Sequence, residues 1–469
     1  MSKIQVIIKR LQKLKVCLLL LTMGTITNTI AQTWQTVGQA GFTPDRAYFT
    51  SLAFSNTGEP YVAFSDFANA YKTTVMKFDG TNWVTVGTAG FSSGRASYIS
   101  LAFSNNNEPY VAYTDFANSN HATVMKFNGN NWAIVGTAGF SPGIADYSSL
   151  AFSNNGEPYI AFRWIASGVN NAGSMVMKFD GVNWVTVGAG SFSTSAMGYT
   201  SLTFGPSNEP YVAYRGVAAN TTGTMVMKFD GNNWVNVGTQ GFSTGNTELY
   251  NSIAFNSRSE TGPYVAYSDR LNSGKVTVMK FDGTNWNTVG TAGFSAGEAK
   301  YISLKFSHTG EPYVAYRDNG NSQAATVMKF DGTNWINVGT AGFSAGIAAY
   351  TSLAFSDAGE AHVAYIDSGN LQKATVMKFA SNTSSTKDAV KSIRAIYPNP
   401  ADNILNIDVS ESLGNEKGAN MIIIDASGKT VARFKLQIGS NTLNISHLSS
   451  GVYFIKSKDN NAAKKFIKK

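Results

Sequence analysis

The sequence predicts an all-β chain whose bulk is a seven-bladed β-propeller, shut by its own first strand and followed by a small C-terminal β-sandwich. Three observations carry this expectation. Trp34, Trp83, Trp132, Trp184, Trp234, Trp286 and Trp335 recur at spacings of 49, 49, 52, 50, 52 and 49 residues, and each interval holds four strand-like runs, the content of one propeller blade. The array also opens on a strand without a partner, Trp34-Gln35-Thr36-Val37-Gly38, and ends at Thr375-Val376-Met377-Lys378-Phe379 with no Trp strand after it. If the first strand docks as the outermost strand of the last blade, all seven blades are complete, whereas an open solenoid would leave that strand idle and would need polar caps.

Ahead of the repeats, Lys3, Lys9, Arg10, Lys13 and Lys15 precede an apolar run from Val16 to Met23 and the small-residue step Thr29-Ile30-Ala31. This is the pattern of a secretory leader over residues 1–31, with an apolar stretch shorter than the roughly 20 residues a membrane-spanning helix needs. No later segment approaches that length, so no transmembrane segment is expected in the mature chain. The only cysteine, Cys17, lies inside the leader, which excludes disulfide, zinc-thiolate and cysteine-nucleophile chemistry from the mature protein. The formal charge of +8 divides unevenly: +5 in the leader, −3 from Gln32 to Ala380 and +6 from Ser381 onward. The repeat region is therefore slightly acidic and offers no footing for nucleic acid.

The second repeat shows how each unit is written. Trp83-Val84-Thr85-Val86-Gly87 is a short strand, a Gly/Ser-rich connection follows, and Tyr98-Ile99-Ser100-Leu101-Ala102-Phe103 is the innermost strand. The turn Ser104 to Pro109 leads into Tyr110-Val111-Ala112-Tyr113, and a polar loop leads into Thr123-Val124-Met125-Lys126-Phe127. Asn128-Gly129-Asn130-Asn131 is a hairpin turn joining the third strand to the next Trp strand. Its Asp-Gly-x-Asn-Trp form (Asp79 to Trp83, Asp282 to Trp286, Asp331 to Trp335) resembles the Asp-box of sialidase-type propellers, one residue short in spacing. The resemblance implies a structural staple and not an active site.

Candidate chemistry is sparse. His121, His308, His362 and His447 neither recur between repeats nor stand at ligand spacing, so no metal or cofactor is expected and the histidines are read as surface-loop residues. The loop after the second strand varies between copies while the Ser-Asn-x-Gly-Glu-Pro turns hardly change, and variable loops on a fixed scaffold are where recognition is usually housed. At that loop five blades carry an acid, Asp66, Asp115, Asp269, Asp318 and Asp367, whereas the third and fourth carry Trp164 and Gly216 beside Arg163 and Arg215; Arg317 shares the arginine position. These acids, these arginines and Trp164 are the candidate ligand contacts, the acids through cation or sugar-hydroxyl binding and Trp164 through stacking. The competing readings are backbone capping for the acids and packing for Trp164. Phe49, Tyr98, Tyr147, Tyr199, Tyr250, Tyr301 and Tyr350 begin the innermost strands and would form a collar near the axis, as ligand platform or as packing between blades. Glu59, Glu108, Glu157, Glu209 and Glu311 are expected to pair across strands with Lys77, Lys126, Lys178, Lys228 and Lys329.

At the far end, Tyr397-Pro398-Asn399-Pro400, Leu405-Asn406-Ile407, Asp425 to Lys429, Leu448 to Tyr453 with Gly451, and a lysine-rich terminus resemble the type A sorting domain of the type IX secretion system over residues 395–469. The resemblance implies a Bacteroidota-type source, passage across the outer membrane through the type IX machinery, and secretion or anchoring at the outer-membrane surface. Bottom-up, the stretch reads as a β-sandwich with strands at Ile404 to Val409, Met421 to Ile424, Val431 to Leu436 and Val452 to Ile455, and residues 381–394 read as a linker.

The functional expectation is a non-catalytic, secreted or cell-surface protein that binds glycan or protein through its variable-loop face. The alternatives are a polysaccharide-active glycosidase or lyase built on Arg163, Arg215 and Arg317, and a purely structural adhesin.

Overall fold

In a computed structural model of the chain, the described residues are 33–166, 172–193, 198–218, 221–243, 250–256, 262–379, 393–409, 419–437, 439–457 and 463–469. The leader at 1–31 and most of the linker lie outside them. Two compact units appear, one spanning Thr33–Ala380 and the other containing Ser381–Lys469.

The first unit is seven four-stranded antiparallel sheets, the blades. In the first blade the strands are Ala47–Phe54 (inner), Pro60–Asp66, Lys72–Phe78 and Trp83–Thr85 (outer), and the remaining blades repeat this order. The seventh takes its outer strand from the start of the chain. Trp34–Thr36 pairs antiparallel with the third strand of that blade, with Trp34 opposite Phe379 and Thr36 opposite Met377. The orphan strand is therefore placed where the repeat count required it.

Three sets of contacts, each repeated seven times, join blade to blade. Every repeated Trp donates its Nε1–H to a valine carbonyl of the preceding blade at 2.7–2.8 Å, from Trp83 to Val37 round to Trp34 to Val338. Each indole also stacks on a phenylalanine of the connection, with centroids 4.1–4.4 Å apart. Nearer the axis, an inner-strand serine accepts a hydrogen bond from a backbone N–H of the next blade, in a hoop running from Leu101 on Ser51 to Leu52 on Ser352. These serines carry no apolar signal, yet each satisfies a backbone donor that would otherwise face the channel unpaired.

The strand register fixes the two faces. The loop after each second strand lies at the same end as the start of the inner strand, as in Ala47 opposite Asp66, while the Glu-Pro turns and the Asp-Gly-x-Asn turns occupy the opposite end. In the latter, Asp79 Oδ1 accepts from the backbone N–H of Thr81 and Asn82, both at 2.8 Å, which staples the hairpin.

Four of the five expected ion pairs form, Glu59–Lys77, Glu108–Lys126, Glu157–Lys178 and Glu311–Lys329, at 2.8–3.1 Å, and Glu360–Lys378 adds a longer one at 3.6 Å. Glu209 and Lys228 do not pair. In blades one, two, three, six and seven a serine hydroxyl accepts from the glutamate N–H, as Ser55 does from Glu59, but Gly205 stands at that position in the fourth blade. A Cβ there would sit 2.9 Å from the Glu209 carboxyl carbon, so the carboxylate fills the vacated space and accepts from the Tyr211 hydroxyl at 3.3 Å. Of the four histidines read as surface-loop residues, His308 and His447 are exposed in turns, and the other two depart from that expectation. His121 lies in a strand. His362 is 4 % exposed in the second strand of the seventh blade, where it replaces a repeated tyrosine and meets Phe54 edge-on at 4.9 Å.

The second unit packs a three-stranded sheet (Ile393–Tyr397, Ile404–Val409, Gly439–Asn444) on a four-stranded one (Thr430–Leu436, Ala419–Asp425, Gly451–Ser457, Ala463–Lys468). Ile393, Leu405, Ile407, Met421, Ile423, Ile455 and Phe466 share one core. The expected four strands are present. Three more are found, because Ile393–Tyr397, Gly439–Asn444 and the lysine-rich Ala463–Lys468 each bury too few apolar side chains to stand out as strands. The first of them begins at Ile393, inside the stretch read as linker.

Candidate functional site

The variable-loop mouth of the channel is built from the inner-strand aromatics. Phe49, Tyr98, Tyr147, Tyr199, Tyr250, Tyr301 and Tyr350 touch neighbour to neighbour in a closed ring with centroids 4.3–5.0 Å apart. Phe49, Tyr98, Tyr147, Tyr199, Tyr301 and Tyr350 adopt φ between 49° and 56°, the left-handed region that side-chain-bearing residues rarely enter. The inner strands bulge there, as between Ser97 and Ser100, and the bulge turns the ring toward its neighbours. Glycine would suit the backbone better, so ring-to-ring contact is what holds an aromatic at this position.

The collar and the residues one step deeper, among them Thr50, Ser148, Thr200 and Asn251, enclose a cavity of ≈ 310 Å³, at the small end of the range for ligand pockets. Thr50 donates to the Tyr350 carbonyl at 2.7 Å, and Thr200 and Thr351 do the same to Tyr147 and Tyr301. Ser148 Oγ and Asn251 Oδ1 are buried without a protein partner. Burial pushes the phenols of Tyr98, Tyr199 and Tyr250 upward, and that of Tyr350 to about 12. These four collar phenols therefore stay protonated at physiological pH and act as neutral donors and acceptors.

The arginines approach the collar differently. Arg163 lies 5.3 Å from the Tyr147 ring centroid and Arg317 5.3 Å from that of Tyr301, on blades three and six, so two cationic groups overlie the aromatic ring on well-separated blades. Arg163 is held by Asp146, with Nε to Oδ1 at 2.7 Å and a second contact from Nη2 to Oδ2. Burial pushes the Asp146 carboxyl up while the guanidinium pulls against it. Arg317 keeps its Nε buried without a partner. Arg215 is half-buried, and its backbone N–H donates to the Gly198 carbonyl at 3.3 Å.

The five loop acids do not line the cavity. Asp66 is fully buried and caps a 3₁₀ turn, accepting from the Ala68 N–H, the Asn69 side-chain amide and the Thr74 hydroxyl at 3.1, 2.8 and 2.7 Å. Asp115, Asp269, Asp318 and Asp367 repeat this cap and are at most 7 % exposed. Their oxygens are committed to the loop. Trp164 occupies the same repeat position in the third blade, packs half-buried against that blade's core, and keeps its indole nitrogen buried without a partner.

Two features carry no mark in a single repeat. Asp146, the clamp on Arg163, stands where other blades have Tyr48, Ser97 or Lys300. On the same face, Arg95 lies 5.1 Å from the Tyr71 ring and 4.8 Å from the exposed Phe116, while Arg46 lies 3.8 Å from Phe67. Tyr71 joins Phe67 and Tyr48 at 5.1 and 5.7 Å, so blades one and two carry an arginine-aromatic rim. The signal for both was departure from the repeat consensus at positions that face solvent or axis.

In the second unit the sorting motifs are joints. Asn399 Oδ1 accepts from the Ile467 N–H at 2.9 Å and the Ala401 N–H donates to the Ile467 carbonyl at 2.8 Å, so the Tyr397-Pro398-Asn399-Pro400 segment stitches the last strand in place. Gly451 opens the strand in which Tyr453, stacked on Phe466, donates to the Ser449 carbonyl at 2.8 Å.

No curated protein matches the chain. Solved structures similar in fold include a protein of unknown function from Dyadobacter fermentans, 11 % identical over 74 % of this chain and 98 % of that one, TM-score 0.47. PorZ, a surface component of the type-IX secretion system of Porphyromonas gingivalis, is 14 % identical over 91 % of this chain and 60 % of its own length, TM-score 0.47. A lectin of Aleuria aurantia is 15 % identical over 65 % and 97 %, TM-score 0.41. Likeness at this level carries no inference about activity. No helix among the described residues is long and apolar enough to cross a membrane. Residues 395–469 match the family described as the secretion system C-terminal sorting domain, and the chain is accordingly an exported protein, addressed to the type IX secretion system and destined for secretion or the cell surface.

Proposed function

We propose that this exported propeller is a binding protein that takes a glycan at the collar mouth of its channel. The observation that carries the reading is the closed aromatic ring around a ≈ 310 Å³ cavity, in which ring faces offer stacking to sugar C–H groups and neutral phenols offer hydrogen bonds to hydroxyls. Arg163 and Arg317 above the collar favour a saccharide bearing a carboxylate or sulfate. Among the described residues no carboxylate lines the cavity, and Asp146 beside it is engaged by Arg163, which supports recognition over acid-base chemistry of the paired-carboxylate kind.

The test is a glycan array followed by titration of any hit. Binding is expected to weaken about tenfold or more in Arg317→Ala and Tyr301→Phe while the melting temperature stays near that of the parent. Absence of binding to any glycan ends this reading. Turnover of a polysaccharide, abolished in Arg163→Ala, would replace it with a catalytic one.

A further inference from the structure

The opposite end of the channel holds a feature independent of the collar. Beyond the serine hoop the channel opens into a cavity of ≈ 760 Å³ toward the face of the Glu-Pro turns. At the inner-strand position that is Ala53, Ala102, Ala151, Ala254 and Ala354 in five blades and Thr203 in the fourth, the sixth blade carries Lys305. It is the one charged side chain lining that cavity among the described residues, and it makes no ion pair or hydrogen bond there. The side chain is exposed to the channel, yet protein surrounds it closely enough that desolvation lowers its ammonium pKa. A cation so placed gains from a counter-charge that the chain itself does not supply.

A second observation points to a ligand. Blades one, two and seven contribute only their serine-leucine pairs to this cavity, and blade three adds Asn154. Blades four to six line it further with Thr203, Gly205, Pro206, Asn256 and Lys305, all departures from the Ala-Phe-Ser-Asn consensus. In a ring of near-identical blades, substitutions gathered in one sector and facing one cavity break the sevenfold symmetry at a place where packing alone would keep alanine and serine. We propose that Lys305, with the serine hydroxyls and Thr203 around it, forms a site for an oxyanion group, a carboxylate, sulfate or phosphate, entered from the face opposite the variable loops. The ammonium supplies the charge and the hydroxyls complete the anion's hydrogen bonds.

The experiment is calorimetric and thermal titration of the full chain with sodium sulfate, inorganic phosphate and glucuronate, each at ionic strength fixed with chloride. Saturable binding of at least one is expected, weakened about tenfold or more in Lys305→Ala and retained in Lys305→Arg. Alanine is the residue of five other blades at this position, so the variant should fold, and its unchanged melting temperature in chloride checks this. Which anions bind separates a carboxylate site from a tetrahedral-oxyanion site. Equal binding by parent and Lys305→Ala, or no saturable binding of any of the three, overturns the proposal. Because glycan capture at the collar uses Arg317 and Tyr301, loss of either site leaves the other measurable.

Discussion

A buried carboxylate that already accepts three hydrogen bonds within its own blade serves the fold before it serves a ligand. Asp115 accepts from the Ala117 N–H, the Asn118 amide and the Thr123 hydroxyl, so Asp115→Ala is expected to cost about 2 kcal/mol of stability, read by chemical denaturation, with ligand affinity of the folded protein little changed. His362 gives a pH signature. Burial lowers its pKa below the ordinary 6.5, with Glu360 opposing and Lys378 reinforcing the shift. Above that value folded and unfolded chains both hold it neutral and its contribution is intact. As pH falls, the unfolded chain takes up the proton first, and stability is lost until the folded value is passed. Melting temperatures taken across this range should fall less in His362→Tyr, which restores the residue of the other six blades.

At the scale of the strand, the latch between blades is the indole. Trp132→Phe would leave the buried Val86 carbonyl without its 2.8 Å donor, and a loss of about 1–3 kcal/mol is expected in equilibrium unfolding. The cross-strand ion pairs are a contrast. Glu108 and Lys126 are each about a third exposed, and solvent screens them, so Glu108→Gln should change stability by less than about 1 kcal/mol. Both elements recur along the sequence, and burial separates the one that matters energetically from the one that does not.

For the whole molecule, closure is the decisive event. The strand Trp34–Thr36 completes the seventh blade, Trp34 reaches Val338, and Thr50 and Leu52 of the first blade bond to Tyr350 and Ser352 of the last. Removing residues through Val37 from the mature chain strips the third strand of the last blade of its partner and exposes an edge. A markedly lower melting temperature and a loss of cooperativity across the propeller, followed by calorimetry, are the expected result. An unchanged melting curve would show that the ring does not depend on its latch.

The number of blades, four strands in each and the completing role of the first strand are all present in the sequence, because period, turn residues and apolar alternation are local properties of the chain. The sorting motifs are legible for the same reason. What the axis of the ring holds could be settled only in three dimensions. The left-handed turn at Tyr98 and its counterparts, the clamp of Asp146 on Arg163, the withdrawal of Glu209 from Lys228 and the placement of Lys305 each depend on side chains that meet at the axis or across a blade. In a chain of repeats every such residue looks like a minor variation until packing decides what it touches.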